Sequence, residues 1–479
     1  MEEYCKIVLS QQGREKLVVK GYLMVKDKNR EDLFYWYCEK KVLYKCKGRS
    51  STILIDGRHK LRTDNDHNHA PETSRAEVSI ANSILKDTAR STTNKPSQII
   101  QSTQSNVPEN IKPYLPSYEA QRKKIKRTRI THHHTEPNSI DVLNIPDDLK
   151  KTLSNQPFLI KESIIGEDKI LVFSTVSNIQ KLSQSMFWIV DGTFKTVPTI
   201  FTQLYTIHAQ VGYGDNSRVL PLVYVLMTSK REQCYSQMYQ DIIDFAEDNS
   251  INLAPEYIIS DFKMAAINAS KHEFPLSKSK GCLFHLCQSA WRKLQGFGLS
   301  IEYGNDENFS IKVRQMLSLA FLPEEEIPDA FKEIKEIMPN NASTFVQWFE
   351  DNYALGKIRR IVRNTEHRNP PLFPPTLWSI YENIDNGIPR TSNHAEAWHR
   401  RWNELIGRAH IGLFTLIKEL QKEQSKVDAD IEAILRGAPK PRPTNLQQKR
   451  EQRLKTAFNN REGKTRLEYL RGIAHNLTM

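Results

Sequence analysis

The sequence contains no hydrophobic run that approaches the roughly 20 residues needed to cross a bilayer. Its first residues, Met1-Glu2-Glu3-Tyr4, also lack the basic start and the apolar stretch of a secretory signal. We therefore expect no membrane association, and a protein that stays in a reducing compartment.

Cysteine is scarce, with six among 479 residues. In a reducing compartment cysteines are metal ligands or buried thiols more often than disulfides, so their spacing matters more than their number. Acidic residues are in the minority, because 68 Lys and Arg face 56 Asp and Glu and give a net charge of +12. This mild excess suits a polyanionic partner.

The length predicts two or three independently folding regions, because one hydrophobic core rarely organises so long a chain. Residues 20–56 alternate apolar and polar side chains and are rich in aromatics, which predicts a compact antiparallel module within residues 10–72. Residues 73–135 are rich in Ser, Thr, Asn, Gln and Pro. Such a segment buries too little surface to offset its ordering entropy, so we predict a disordered linker.

A basic cluster closes this linker at Arg122-Lys123-Lys124-Ile125-Lys126-Arg127-Thr128-Arg129. A solvated charge run is one interpretation, and a nuclear-import or DNA-backbone-binding segment is the other. Under the second interpretation, Arg122, Lys123 and Lys124 contact phosphates.

Residues 184–302 show the most regular pattern, after a connecting region at 136–183. Three apolar strands at 186–193, 201–212 and 219–227 are followed by a helix with one apolar stripe. A strand at 257–260, a helix at 264–270, a strand at 281–284 and a helix from about 286 complete the order βββαβαβα. This is the element order of the ribonuclease-H-like sheet, in which the later strands add in parallel through crossover helices.

The remaining residues read as helical. We predict an α-helical insertion at 303–388, a C-terminal helical part of the core at 389–425 and a loosely held charged tail at 426–479. The fold class is therefore multidomain, with a small β-rich module followed by an α/β ribonuclease-H-like core that carries the insertion.

Two thiols and two imidazoles in the first module make a complete tetrahedral zinc set: Cys38, Cys46, His67 and His69. A module this small would need such a metal to fold. The spacing Cys-x7-Cys-x20-His-x-His differs from the helix-borne finger, because His-x-His directs both imidazoles to one side of an extended segment. The alternative is two buried thiols and two surface histidines.

This segment resembles the FLYWCH zinc-finger family, through Phe34-Tyr35-Trp36-Tyr37-Cys38 and Cys46-Lys47-Gly48-Arg49. The resemblance covers roughly residues 10–70 and implies a zinc-dependent module that contacts DNA or protein. If the partner is DNA, four basic residues are plausible phosphate contacts: Lys45, Lys47, Arg49 and Arg58. A protein-interaction domain is the competing interpretation.

Two acids meet the needs of metal-assisted phosphoryl transfer, in which carboxylates from neighbouring strands hold the ions in one cleft. Asp191 lies near the end of the first core strand, and Asp261 ends the fourth. In this topology the two strands lie side by side and parallel, which would bring the carboxylates together. Asp191, followed by a glycine, could instead turn the chain, and Asp261 could cap the next helix.

The core resembles the Mutator-like (MULE) transposases, through Asp191-Gly192-Thr193-Phe194 and through Asp261 with Ala265 and Ala266. The resemblance implies a third acid after a helical insertion, for which Glu396 is the best candidate, although a helical glutamate commonly faces solvent. The family also carries a Cys-x-x-His pair, here Cys282 and His285. We treat this pair as a possible metal site, with Cys287 and His399 as conceivable further ligands, or as a buried thiol with a hydrogen-bonded histidine.

The resulting hypothesis is a nuclear, zinc-dependent DNA-binding protein that cuts and joins DNA strands with Mg²⁺ or Mn²⁺ on Asp191, Asp261 and Glu396. The resemblance implies a homodimer acting on double-stranded DNA at transposon ends or regulatory sites. The alternative is a domesticated or inactive derivative that works as a DNA-binding regulatory or chromatin protein. The SWIM-type finger common in relatives has no counterpart after Glu396.

Overall fold

A computed structural model of the chain describes residues 4–9, 14–92, 94–132, 135–363, 365–440 and 445–477. The chain divides into two compact units, residues 1–135 and residues 136–479. No helix within the described ranges is long and apolar enough to cross a membrane.

Six antiparallel strands form a closed barrel in the first unit. They are β1 (Tyr4–Leu9), β2 (Glu15–Val19), β3 (Tyr22–Arg30), β4 (Leu33–Cys38), β5 (Arg49–Ile55) and β6 (Arg58–Asp64). Side chains alternate along β4, so Trp36 and Cys38 are buried inside while Tyr35 and Tyr37 face outward. The buried Trp36 indole donates to the Thr52 hydroxyl over 2.9 Å.

The predicted disordered linker at 73–135 is wrong, because most of this segment is helical. It forms α1 (Thr73–Ser91), α2 (Pro96–Ser105) and α3 (Tyr118–His132). The three helices share a small core of Leu85, Ala89, Ile99, Ile100 and Ile125. The composition of the segment gives the number of apolar residues but not their arrangement. The segment looked unable to fold because composition does not show that its few apolar residues converge from three helices.

A seven-stranded mixed sheet dominates the second unit, in the order β13-β12-β9-β10-β11-β8-β7. Its strands are β7 (Leu159–Ile165), β8 (Asp168–Phe173), β9 (Phe187–Thr193), β10 (Gln203–Val211), β11 (Arg218–Met227), β12 (Tyr257–Ser260) and β13 (Lys278–Gly281). Strands β9, β10 and β11 form an antiparallel meander, and β12 runs parallel to both β9 and β13.

Four helices accompany the sheet: α4 (Val176–Ser183), α5 (Glu232–Asp248), α6 (Met264–Glu273) and α7 (Leu283–Gly296). The order βββαβαβα predicted for the core is therefore observed. The connecting region at 136–183 is more than a connection, because β7 and β8 extend the sheet beyond β11. The strand predicted at 281–284 lies earlier, at Lys278–Gly281, and Leu283 already begins α7.

The predicted insertion is mainly helical and contains a short hairpin. Its elements are α8 (Ser300–Asn305), α9 (Glu307–Ser318), α10 (Ile327–Ile337), α11 (Ser343–Phe349), β14 (Ile358–Val362), β15 (Thr365–Arg368), α12 (Pro375–Trp378) and α13 (Tyr381–Asp385). These helices, together with α7, surround the largest apolar cluster of the molecule.

The prediction of a loosely held tail at 426–479 is also wrong. Its helices α16 (Asn445–Asn459) and α17 (Arg466–Ala474) pack into the insertion. Tyr469, Leu470 and Ile473 of α17 are fully or almost fully buried there, and the Tyr469 hydroxyl donates to the Phe321 carbonyl over 3.1 Å. The high charge of this segment reflects its solvent face and hides the narrow apolar stripe.

Two further helices cover the sheet: α14 (Asn393–Ile406) and α15 (Leu413–Leu435). The N-terminus of α15 is held by the Glu136 carboxylate, which accepts hydrogen bonds from the backbone N–H groups of Phe414 (2.8 Å) and Thr415 (3.1 Å). The α14 side of the sheet carries the acids considered below.

Candidate metal centre and acidic cleft

The four predicted zinc ligands converge in the first unit. One ligand atom from each of Cys38, Cys46, His67 and His69 lies within 4.8 Å of the others. Cys38 Sγ is 3.2 Å from His69 Nε2, and Cys46 Sγ is 3.4 Å from His67 Nδ1. Both thiols are buried, as in the alternative of two buried thiols and two surface histidines, but that alternative does not account for the convergence of all four ligand atoms.

Backbone N–H groups point at both sulfur atoms, from Lys40 to Cys38 Sγ and from Gly48 to Cys46 Sγ, each at 3.4 Å. Such donors favour a negatively charged sulfur, which is the form that binds zinc. Without a metal, burial raises the pKa of Cys38 to about 11, so a buried thiol here is neutral. The donor set and its surroundings therefore fit zinc.

Neighbouring residues fix the orientation of both imidazoles. The ring of Tyr22 stacks on that of His67 with centroids 3.7 Å apart, and the Tyr22 hydroxyl donates to the His69 carbonyl. Gly48 lies so close to His67 that a Cβ atom at this position would be 2.5 Å from the imidazole. Glycine is required here by close approach rather than by backbone conformation.

The predicted phosphate contacts Lys45, Lys47, Arg49 and Arg58 are all exposed on this module. Sequence reasoning missed a second set, in which Lys28 lies 5.6 Å over the ring of Tyr35 and Lys41 lies 4.9 Å over that of Tyr37. We call Lys28, Tyr35, Tyr37, Lys41 and Arg49 the aromatic–basic face. The outward alternation along β4 was the signal that could have identified it. In such a set the cations can contact phosphates and the aromatic rings can stack on bases.

The basic cluster lies on α3 and does not act as one charged run. Arg122 and Lys123 are exposed, although Arg122 pairs with Glu119 at 3.5 Å. The ammonium of Lys124 instead donates to the Asn82 side chain over 2.6 Å, and burial lowers the Lys124 pKa. The contact with Asn82 gives Lys124 a structural role, and its predicted phosphate contact stays a prediction.

Asp191 and Asp261 lie near the ends of neighbouring parallel strands. Strand β12 pairs with β9 in parallel, with Ile259 opposite Ile189. Asp191 lies two residues further along β9, and Asp261 lies two residues after Ile259, directly after the end of β12. Because alternate residues of a strand share a face, Asp191 points to the side of Ile189, which packs with Ala395 of α14.

The structure favours neither alternative for these acids. Asp191 lies within a regular strand rather than in a turn. The helix after Asp261 has Lys263 as its N-cap, and no side chain caps it. The ammonium of Lys263 is 2.8 Å from Asp261 Oδ2.

A chain of three polar residues, His399, Thr206 and His208, begins at Asp191. His399 Nδ1 lies 3.2 Å from Asp191 Oδ2, His399 Nε2 lies 3.3 Å from the Thr206 hydroxyl, and that hydroxyl lies 2.9 Å from His208 Nε2. Burial alone would raise the pKa of Asp191, but the contact with His399 holds it below its usual value. Burial and the charge of His399 lower the pKa of His208, which stays neutral.

A cationic pair lies beside Asp261. Lys230 and Lys263 lie 3.7 Å and 5.0 Å from the ring centroid of Phe194, which is 39% exposed. Burial and the charge of Lys263 lower the pKa of Lys230. Two ammonium groups around an accessible aromatic ring can bind an anion such as a phosphate.

The third predicted acid belongs to a different cluster. Ligand atoms of Glu396, Cys282 and His285 lie within 4.8 Å of one another, whereas Asp191, Asp261 and Glu396 do not form such a set among the described residues. Burial raises the pKa of Glu396, and Asp191 contributes as a nearby negative charge. Glu396 is half-buried and accepts a hydrogen bond from Ser392, so it is not an ordinary solvent-facing glutamate.

Cys282 and His285 are brought together, but not with the further ligands that the sequence suggested. His399 pairs with Asp191, and Cys287 faces the core of the insertion. Burial would lower the pKa of His285, but its hydrogen bond to Cys282 and the charges of Cys282, Asp191 and Asp261 raise it to about 9. His285 therefore lies within electrostatic reach of both aspartates.

Comparison with known protein families matches the two units separately. Residues 7–69 match the FLYWCH zinc finger domain, and residues 187–289 match the MULE transposase domain. No match was found among curated proteins. The first segment contains all four zinc-type ligands, and the second contains both aspartates and the Cys282/His285 pair, whereas Glu396 lies beyond it. The architecture predicted from the sequence is confirmed: a FLYWCH zinc finger domain precedes a MULE transposase domain.

Proposed function

We propose that this protein binds double-stranded DNA through its zinc module and cuts and joins DNA strands at the Asp191/Asp261 cleft. The single observation that carries the proposal is the parallel pairing of β9 and β12, which supports a location of the Asp191 and Asp261 carboxylates in one cleft near the ends of these strands. Both acids also fall within the segment similar to MULE transposases. The strand order around them agrees with a ribonuclease-H-like core.

Mg²⁺ or Mn²⁺ would be held by Asp191 and Asp261, with Glu396 as the third acid. Bound there, the ions would polarise the phosphodiester and activate a water or a 3′-hydroxyl. Adjacent carboxylates repel each other and favour a cation between them, which fits this donor set. The chain itself orients Asp191 through His399 and provides Lys230 and Lys263 as cations beside the reacting phosphate.

On the zinc module, the aromatic–basic face would contact DNA, together with the exposed Lys45, Lys47 and Arg58. Cations there would bind DNA phosphates. The rings of Tyr35 and Tyr37 would limit how closely the DNA backbone approaches the module. Arg122 and Lys123 on α3 extend the basic surface of this unit. We further propose a nuclear location and action as a homodimer, in keeping with two DNA ends being joined.

The test is metal-dependent nicking of supercoiled plasmid DNA by the full chain with Mg²⁺ or Mn²⁺. We expect nicking by the wild type and by Asp248→Ala, which removes an exposed acid at the end of α5, and no nicking by Asp191→Ala or Asp261→Ala. Nicking that survives in both cleft variants, or that is absent from the wild type, overturns the assignment.

A second candidate, a DNA-binding regulatory or chromatin protein that does not cut, is favoured by one observation. Asp191 is paired with His399, Asp261 is paired with Lys263, and Glu396 belongs to another cluster. Asp191 and Asp261 thus each have a partner other than a divalent ion. Salt-sensitive DNA binding by the wild type without nicking is the result that supports this candidate.

A further inference from the structure

A compact cluster of unlike ligands lies where β13, α7 and α14 meet. Cys282 immediately follows β13 and is the N-cap of α7, His285 lies one turn into α7, and Glu396 lies in the first turn of α14. Their ligand atoms are all within 4.8 Å of one another, and Cys282 is fully buried. Two segments distant in sequence, the start of α7 and the first turn of α14, thus contribute one thiol, one imidazole and one carboxylate to a single point.

The surroundings of Cys282 repeat those of the zinc-type thiols in the first unit. The backbone N–H of Ser392 donates to Cys282 Sγ over 3.1 Å, as Lys40 and Gly48 do to Cys38 and Cys46. The Ser392 hydroxyl, 3.1 Å from the same sulfur, donates to Glu396 Oε1 over 2.9 Å. Ser392 therefore stabilises a negative sulfur and orients the carboxylate at the same time.

One imidazole nitrogen in this cluster is left over. His285 Nδ1 is buried and has no hydrogen-bond partner, although buried polar atoms nearly always have one. His285 also offers an imidazole nitrogen that lies within 4.8 Å of a thiol and a carboxylate ligand atom, which is a metal-ligand arrangement. Sulfur and imidazole ligands select zinc over magnesium.

We propose that Cys282, His285 and Glu396 form a second zinc site, separate from the four-ligand site of the finger. Three protein ligands leave a fourth position of the tetrahedron open, as in zinc sites that bind water or a substrate group. If the cleft also holds Mg²⁺, the two oxygens of Glu396 allow this carboxylate to contact both sites.

The test is the zinc content of the purified full chain, measured by mass spectrometry of the elements. We expect about two zinc ions per chain in the wild type and about one in Cys282→Ser and in His285→Gln, since each variant removes one of three ligands. Cys287→Ser is the matched control, because it changes a buried thiol of the same helix outside the cluster, and it should keep both ions.

Cobalt substitution supplies a second measurement that does not depend on counting. In a chain carrying Cys38→Ser and Cys46→Ser, Co²⁺ should still give a thiolate-to-cobalt absorption band, and adding Cys282→Ser should abolish it. One zinc ion in the wild type that Cys282→Ser leaves unchanged, or no such band in the finger-disabled chain, overturns the proposal. Neither result bears on plasmid nicking, so this site and the nuclease proposal fail separately.

Discussion

His399 Nδ1 lies 3.2 Å from Asp191 Oδ2, and both residues are largely buried. A buried acid that loses its donor retains the cost of desolvation, so Asp191→Ala and His399→Ala should not act independently on stability. We expect a coupling of about 1–3 kcal/mol in a double-mutant cycle by urea unfolding without divalent ions. Additive effects of the two substitutions would show that the contact does not stabilise the fold.

Zinc removal should unfold the first unit selectively. The barrel is small and its four ligands come from β4, the β4–β5 connection and the segment after β6, so loss of the metal releases several strands at once. Hydrogen exchange with a zinc chelator should rise across residues 14–69 and remain low at the centre of the seven-stranded sheet. Unchanged exchange in the barrel would mean that it folds without metal.

Gly48→Ala should weaken zinc binding without removing a ligand. Its Cβ would lie 2.5 Å from the His67 imidazole, which must then shift from its stack on Tyr22. We expect a roughly tenfold or greater loss of zinc affinity, as for other changes that disturb the orientation of a ligand, measured by competition with a chromogenic chelator. Gly57→Ala is the control for general strain in the barrel, because nothing lies near its Cβ position but its φ of +74° disfavours any side chain. Equal affinities in the two variants would contradict the close-approach argument.

Glu136 should act as the N-terminal cap of α15. Its carboxylate accepts two backbone N–H groups and the Thr415 hydroxyl at the positive end of the helix. Glu136→Ala should lower the free energy of unfolding by about 1–2 kcal/mol in urea. Glu136→Gln, which keeps one acceptor oxygen, should fall between the wild type and the alanine variant. If Glu136→Ala leaves the free energy of unfolding unchanged, water replaces the cap fully.

Lys28 and Lys41 on the aromatic–basic face should contribute to the salt dependence of DNA binding. Each ammonium that binds a phosphate releases a counterion, so Lys28→Ala and Lys41→Ala should each reduce the slope of log K against log salt by about one. Lys124→Ala is the matched control, because its ammonium is held by Asn82. If Lys124→Ala changes the slope but Lys28→Ala and Lys41→Ala do not, the DNA interface lies on α3 instead.

The predictable parts of the fold were those specified by neighbouring residues. Strand β12 was placed at 257–260 because a short apolar run ends at a polar residue. Strand β13 was displaced because Lys278-Ser279-Lys280-Gly281 has no strand pattern of its own and is ordered by pairing with β12. The apolar Leu283 and Phe284, which attracted the prediction, belong to α7.

The candidate sites divide in the same way. The zinc-type ligands and the two acids could be proposed from the sequence because their spacing and their positions, in β9 and directly after β12, are local properties. The contact of His399 with Asp191 could not be found, because it depends on α14 crossing β9 from 208 residues further along the chain. The grouping of Glu396 with Cys282 and His285 likewise depends on how α14 meets the start of α7.

Helix α15 contributes Leu413, Leu416, Ile417 and Leu420 to the apolar layer on one face of the sheet, and Val427, Ile431 and Ile434 to the layer on the other. A 23-residue helix is about 35 Å long and has one continuous ladder of backbone hydrogen bonds. Loss of structure in either apolar layer therefore removes part of the packing surface of α15, the same helix that supports the opposite layer. We therefore expect the two faces to lose their structure together in one cooperative step.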